Sequence, residues 1–281
     1  MDPAVPMRRN VSSTRVTAVR AAEPFERADR LAAEEPMEIR AGGPAQEPVS
    51  VAVTMRTPGN DFELATGFLW TEGLIRSRDE VVSVAYCELP PEEQQYNVVT
   101  ARLSRPFDPA SLQRNFYATS SCGVCGKASL DQVKVACAVL KPGPILARSV
   151  VAELPGALRQ SQRIFEQTGG LHAAGLFHPD GTVAAVREDV GRHNAVDKLV
   201  GWACMANRLP LSQMVLMVSG RVSFEIVQKA AVAGIPIVCA VSAPSSLSVE
   251  AAEDLGMTVL GFVRDGGFNL YTHPERVDLG T

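Results

Sequence analysis

The sequence predicts an α/β fold with a smaller α+β region ahead of it. Three observations carry that prediction. From about residue 146 onward, short apolar strand signals alternate with helical periodicity, the pattern of a mostly parallel sheet covered on both faces. Before that point, one helical segment is flanked by segments that alternate apolar and polar residues, an α+β pattern. Hydrophobic residues make up 46% of the 281 and charged residues 21%, as in a packed globular protein, which excludes wholesale disorder.

Residues 1 to about 47 are rich in Arg, Ala, Glu and Pro without sustained periodicity, and are expected to form a flexible arm with at most short strands near its end. Val49-Ser-Val-Ala-Val53 alternates as a strand, and Thr57-Pro-Gly-Asn60 is a turn. Asp61 is placed to cap a helix over roughly 61–73, with Leu64, Phe68 and Leu69 on one face. Val81–Tyr86 and Tyr96–Leu103 read as strands. Pro142, Pro144 and Pro155 mark a looser connection, which puts the boundary between the 48–145 region and the 146–281 domain near residue 145.

In the second half, Leu171–Phe177 and Thr182–Arg187 are strands joined by the hairpin turn His178-Pro-Asp-Gly181. A helix over about 192–206 gathers Val196, Leu199, Val200 and Ala203 on one face. Met214–Val218 is a strand, Ser223 caps a helix ending near Gly234, and Pro236–Val241 is the next strand. A helix from about 246 to Leu255 stops at Gly256, and Met257–Phe262 and Phe268–Tyr271 are the last strands.

Charge and cysteine usage narrow the function classes. Lys+Arg total 27 and Asp+Glu 31, a net charge of −4, so general nucleic-acid binding is not expected and any anionic ligand must be held by a local pocket. Arg8-Arg9 is not followed by an apolar run of signal-peptide length. Residues 230–249 carry no charge, but Pro236, Pro244 and four serines argue for a helix end, a buried strand and a loop rather than a membrane span. Six Cys are too few for a disulfide scaffold, and a cytoplasmic protein without membrane attachment is expected. Cys87, Cys137, Cys204 and Cys239 stand singly in apolar surroundings as small hydrophobes.

Cys122-Gly-Val-Cys125 is the sharpest signal. Two thiols at this spacing can share a metal, form a redox disulfide, or act as a nucleophile with a helper. A helix starting near Gly126, with Lys127 beside it, would lower a thiol pKa and raise the thiolate fraction. A closed zinc site needs four ligands, and no second Cys-x-x-Cys exists, so no tightly bound structural metal is expected. The bland alternative is a tight turn with two incidental Cys.

Three loops leave strand ends in the α/β half: Ser219-Gly-Arg221, Ser242-Ala-Pro-Ser-Ser246 and Arg264-Asp-Gly-Gly267. Small residues allow close backbone approach, Arg offers a bidentate fork to phosphate, and a following helix N-terminus offers free N–H groups. No Gly-x-x-x-x-Gly-Lys-Thr loop is present, which excludes a P-loop NTPase. Gly169-Gly-Leu-His172-Ala-Ala-Gly175 sets a His beside a strand. Arg187-Glu-Asp-Val-Gly-Arg-His-Asn194 opens a helix on which His193 and Asp197 share a face. Structural histidines and ordinary connections are the alternative. The functional reading is a pocket for a polar heterocycle and its phosphates.

Ser121-Cys-Gly-Val-Cys-Gly126, Thr168-Gly-Gly-Leu-His-Ala-Ala-Gly175, the segment Arg187–Lys198, Ser219-Gly-Arg221 and the ending Gly261–His273 together resemble the FdhD family of sulfur carriers, in order, over roughly residues 47–275. The resemblance implies a sulfurtransferase that takes persulfide sulfur from a cysteine desulfurase. It implies that the sulfur passes to the molybdenum of bis-molybdopterin guanine dinucleotide, held as a bound substrate, for formate dehydrogenase. It implies Cys122 as the persulfide carrier, Cys125 as its neighbour, and Phe262, Val263, Arg264, Asp265, Gly266 and Gly267 as the cofactor-binding stretch. Ser219, Arg221, His172 and His193 complete the expected pocket. It also implies a three-layer cytidine-deaminase-like C-terminal domain, although His172-Ala-Ala is not the deaminase His-x-Glu and no Pro precedes the Cys pair. A cofactor-binding chaperone without sulfur transfer and a zinc deaminase-like hydrolase are the rival functions. A homodimer is an open expectation for assembly.

Overall fold

The computed structural model describes residues 9–21, 23–88, 90, 93–108 and 139–280. The described residues open with two strands, β1 (Val11–Arg20) and β2 (Glu23–Ala32), paired antiparallel in full register from Val11 opposite Ala32 to Arg20 opposite Glu23. β3 (Glu35–Gly42) then enters a four-stranded sheet with β4 (Val49–Arg56), β5 (Val81–Tyr86) and β6 (Val98–Leu103), in the order β4-β3-β6-β5. Within the described part of residues 1–47, where an arm with at most short strands near its end was expected, β1, β2 and β3 run for 10, 10 and 8 residues. Met37, Ile39 and Ala41 alternate inward with Glu38 and Arg40 outward, a strand period hidden by the charged residues between the apolar ones.

Helix α1 (Asp61–Thr71) packs on this sheet. Leu64, Ala65 and Leu69 are buried against Ile39, Val99, Ala101 and Leu103. Its cap is Asn60, in the left-handed region at φ 58, and Asp61 lies inside the helix, where its carboxylate receives the Arg56 guanidinium at 2.9 Å.

The second half is built on a six-stranded sheet. Its strands are β8 (His172–Phe177), β9 (Val183–Asp189), β10 (Val215–Val218), β11 (Ile237–Ala240), β12 (Thr258–Arg264) and β13 (Gly267–Thr272), in the order β13-β12-β11-β10-β8-β9. Only β10, β11 and β12 run parallel, and β8, β9 and β13 join antiparallel. The sheet is therefore mixed and not mostly parallel, because a hairpin closes each side of the parallel centre.

Helices cover both faces. Leu216, Val218, Val238, Ala240 and Val259 point to α4 (Arg192–Met205), α5 (Phe224–Val232) and α6 (Ser246–Leu255). Val215, Met217, Ile237, Cys239 and Leu260 point the other way, to Val151, Leu154 and Leu158 of α2 (Arg148–Gln160). Pro155 sits inside α2, so the expected loose connection is a helix: burial of residues 151, 154 and 158 on one face outweighs one lost main-chain hydrogen bond. A short helix, α3 (Arg163–Thr168), and a two-residue pairing of β7 (Leu146–Ala147) with β14 (Val277–Asp278) complete the architecture. Among the described residues, no helix is long and apolar enough to cross a membrane.

Candidate functional site

The carboxyl ends of the three parallel strands form a continuous rim. After β10, Ser219 returns to β8: its N–H donates to the Ala173 carbonyl at 2.9 Å and its Oγ accepts from the Ala173 N–H at 2.9 Å. Further along the loop, Val222 bridges Pro244, and its carbonyl receives the Ser245 N–H at 3.0 Å. The Ser242 carbonyl then accepts from the Phe262 N–H at 3.2 Å. The three loops named from sequence therefore line one edge, with Ser242–Ser245 between Ser219–Arg221 and the β12 end. Arg264–Gly267 does not sit directly beside Ser219–Arg221, because β11 and the loop that follows it lie between β12 and β10.

Asp265 and Gly266 make the tight turn of the β12–β13 hairpin, both at positive φ (53 and 76), as a type I′ turn requires. Gly266 thus has a backbone reason of its own. Gly261 pairs with Asn269 and Arg264 with Gly267, so Phe262 and Val263 oppose Phe268 alone in a β-bulge. Phe262 takes φ 53, which a bulky residue adopts at a cost of order 1–3 kcal/mol. Val263 turns its side chain into the core under α2, leaving only its backbone for the rim. Arg264 is exposed, with its guanidinium carbon 5.5 Å from the centroid of the Phe262 ring.

At the other end of the rim stands a cluster of cations and hydroxyls. A Cβ placed on Gly220 would meet His172 Nδ1 at 3.3 Å and the Arg192 side chain at 3.8 Å, so the absence of a side chain there lets three segments converge. Burial holds His172 below the ordinary histidine pKa, and the Arg192 and His193 charges push it the same way, which favours the neutral ring. Arg192 Nε is buried without a hydrogen-bond partner among the described residues. His193 Nε2 lies 3.0 Å from Glu225 Oε2 and 3.2 Å from Ser223 Oγ, and the Ser223 hydroxyl donates to the same carboxylate at 3.1 Å. The hydrogen bond from His193 keeps Glu225 below the usual carboxylate range. With its hydroxyl so engaged, Ser223 makes no side-chain cap at α5, whereas Ser245 caps α6 by accepting from the Ser248 N–H at 3.3 Å.

In the sequence Arg192 is one polar residue among several in Arg187–Asn194, and no motif marks Glu225 as a site residue. The Ser223-Phe-Glu225 spacing at a helix start was the available signal. The same segment offered Arg187, Glu188, Asp189 and Asn194 as pocket candidates, and the structure spends them on its own chain. Arg187 pairs with Glu63, and Glu188 accepts from the N–H groups of Ile164 and Phe165 at the start of α3. Asp189 is fully buried and accepts from Thr57 N, Gly191 N, Asn194 Nδ2 and Lys198 Nζ at 3.1, 2.8, 3.0 and 2.6 Å. Asp197 lies one turn along α4 from His193 but is buried with Lys229 at 2.9 Å and Thr71 at 2.7 Å. His193–Glu225 and Asp197–Lys229 are thus two rungs between α4 and α5, and only the first faces the rim.

Cys122, Cys125 and Lys127 lie outside the described residues, as does Cys137. Of the remaining cysteines, Cys204 and Cys239 are buried, and burial pushes their thiols up to about 11 and about 12, which makes them poor nucleophiles. Cys87 is half-buried.

The FdhD/NarQ family model matches residues 32–278. A sulfur carrier protein FdhD of Mycolicibacterium paratuberculosis is 51% identical over 273 residues, covering 95% of this chain and 98% of its own. A protein of the same name from Sulfurisphaera tokodaii is 45% identical over 249 residues, covering 89% and 92%. The fold is shared with a crystal structure of a candidate formate dehydrogenase accessory protein from Desulfotalea psychrophila, with a TM-score of 0.73 at 23% identity, over 97% of this chain and 100% of that one.

Proposed function

The chain belongs to the FdhD/NarQ family, and on that premise we propose that it is a sulfur carrier with sulfurtransferase activity, receiving persulfide sulfur from a cysteine desulfurase in the cytoplasm. The acceptor is the molybdenum of bis-molybdopterin guanine dinucleotide, bound as substrate, and the beneficiary is a formate dehydrogenase. The observation that carries this reading is the match to relatives named sulfur carriers along nearly the whole of both chains. The rim supports the second half of it. Arg192, Arg221, Arg264 and the neutral His172 offer donors and a flat heterocycle at one sheet edge, which suits phosphates and a guanine ring. Helices on both faces of the six-stranded sheet agree with a cytidine-deaminase-like layering, and His172-Ala-Ala in place of His-x-Glu agrees with a scaffold that does no deamination.

In this mechanism the Cys122 thiolate attacks the outer sulfur of the donor persulfide. A new S–S bond forms, the donor S–S bond breaks, and the donor leaves as a thiolate, so Cys122 becomes Cys–S–SH. For delivery, the Cys125 thiolate attacks the inner sulfur of Cys122. The outer sulfur departs as hydrosulfide toward the metal, and a Cys122–Cys125 disulfide remains for an external thiol to reduce.

The test is intact mass after incubation with a cysteine desulfurase and cysteine. The wild type gains the mass of one sulfur atom, lost again on reduction, and Cys122→Ala gains none. A Cys122→Ala protein that loads sulfur and activates the dehydrogenase as well as wild type overturns the carrier role. Cofactor binding without any loading of Cys122 favours a chaperone instead.

A further inference from the structure

α4 is 14 residues long, beginning at the rim with Arg192 and His193 and ending at Met205, about 20 Å away. Around that far end lie two adjacent cavities that share Pro210. One, of about 190 Å³, is lined by Trp202, Arg208, Leu211 and Met214. The other, of about 230 Å³, is lined by Trp70, Arg76, Arg78, Cys204 and Leu209. Neither serves the sulfur chemistry described above.

The lining is unusual for this chain. The protein carries a net charge of −4, yet Arg76, Arg78 and Arg208 meet here, and among the described residues none of the three pairs with a carboxylate. Arg78 donates to the Val81 carbonyl at 2.6 Å, and Arg208 lies over the Trp202 ring at 4.8 Å. Of the nearby carboxylates, Glu80 is taken by Arg105 at 2.6 Å and by the Arg76 N–H, while Asp79 is exposed on the solvent side. Apolar surface stands among the cations: Trp70, Trp202 and Leu209 are only partly buried, and Met205 is 44% exposed.

We propose that this end of α4 is a docking surface for an acidic segment of a partner protein, with carboxylates on Arg76 and Arg208 and apolar side chains in the two cavities. Three arguments select this occupant. Each cavity is smaller than the roughly 300–1,000 Å³ of a cofactor or drug site, so each takes one side chain and not a nucleotide. Two such cavities side by side suit successive residues of an extended segment. Arg and Trp are the residue types that dominate binding energy at protein interfaces, and three guanidinium groups with no carboxylate partner among the described residues select carboxylates. Because the surface and the rim occupy opposite ends of one helix, a partner docked here leaves the rim open. The inference stands independently of the sulfur-transfer reading.

The chain's only two tryptophans, Trp70 and Trp202, line this surface, one in each cavity, so intrinsic tryptophan fluorescence reports on it alone. The experiment titrates the full-length protein with the capped peptide Asp-Glu-Leu-Asp-Glu-Phe and, as control, Asn-Gln-Leu-Asn-Gln-Phe. The expected result is a saturable change with the acidic peptide that weakens with added salt. Affinity should fall about tenfold or more with the neutral peptide and with an Arg76→Glu/Arg208→Glu double variant. Both positions are exposed, so the variant folds, and circular dichroism checks this. Equal binding of both peptides, or binding unchanged in the variant, overturns the proposal. So does an equal response to a single-stranded RNA of matched charge, which would make the surface a general polyanion site. A change in the association state of the variant without loss of peptide response would assign the surface to a second copy of the chain, and overturns the proposal as well.

Discussion

Gly67 of α1 and Gly201 of α4 lie face to face with no side chain between them. A Cβ on Gly67 would stand 1.8 Å from the Asp197 carbonyl oxygen, and one on Gly201 would stand 1.8 Å from the Glu63 carbonyl oxygen. The helix that packs on the four-stranded sheet and the helix that carries His193 to the rim are thus joined backbone to backbone. In an isolated helix, Gly→Ala stabilises by about 1 kcal/mol through propensity. Here the methyl group meets main chain that cannot move aside, so Gly201→Ala is expected to destabilise the protein by about 1–3 kcal/mol or more. Urea unfolding reads the sign directly, and a midpoint that rises would refute the close crossing.

Asp189 joins the same two regions from below. Its carboxylate holds Lys198 Nζ at 2.6 Å and the Thr57 N–H at 3.1 Å, and Lys198 also donates to the Thr57 carbonyl at 2.9 Å. Asp189→Ala leaves the buried ammonium without its counter-charge and should cost about 3–5 kcal/mol. Lys198→Met should be costly for the mirror reason, and the Asp189→Ala/Lys198→Met double variant should lose less than the two single losses added together. Additive losses in denaturant unfolding would show that the pair is not coupled.

Those two relationships mark where sequence reasoning stopped. Local signals were legible: the His178–Gly181 hairpin turn, the Ser223 start of α5, and Gly256, which ends α6 at φ 70. Asp189 fell within a polar segment read as part of a pocket, and Lys198 drew no structural reading, because their partner Thr57 lies more than 130 residues away and no local pattern reveals such a contact. The β1–β2 pairing was missed because Ser, Thr and Arg interrupt the valines of β1, and β2 has no β-branched residue at all, so neither strand shows an apolar face to detect. Asp265-Gly266 was read as a ligand loop, although Asp-Gly between two strands is also a hairpin signal. The three rim loops were legible because each follows a short apolar strand, and the parallel strand order then brings them to one edge.

Acid should weaken the fold in two separate windows. His172 has a folded pKa below its ordinary 6.5, so the unfolded chain binds the proton first as pH falls. The His172 contribution is therefore complete above about pH 6.5 and is lost as pH falls through the folded value. Glu225 is also lowered, from 4.5, and its contribution is lost only below that carboxylate range. Unfolding free energy measured between about pH 7.5 and about pH 5.5 should decline in the wild type and decline less in His172→Asn. An identical slope in the variant would mean that His172 does not titrate with the fold, whereas Glu225→Gln should change the profile only at lower pH.

Arg264 tests the cofactor reading at the opposite end of the rim. The β-bulge at Phe262–Val263 and the turn at Asp265–Gly266 hold it at the hairpin tip, where its guanidinium stacks on Phe262 and makes no ion pair among the described residues. It is therefore free to give a charge-assisted contact to a phosphate or to a guanine edge. Loss of one such contact typically costs about 1.5–3 kcal/mol, or roughly tenfold to a hundredfold in affinity. Arg264→Ala should weaken GDP, used as a fragment of the cofactor, by that range in calorimetric titration. Attack on the donor persulfide requires only the Cys122 thiolate, so sulfur loading by intact mass should be unaffected. Unchanged GDP affinity would move the phosphate site toward Arg192 and His172. Lost loading would mean that nucleotide binding and thiol chemistry share one surface and cannot be separated along the sheet edge.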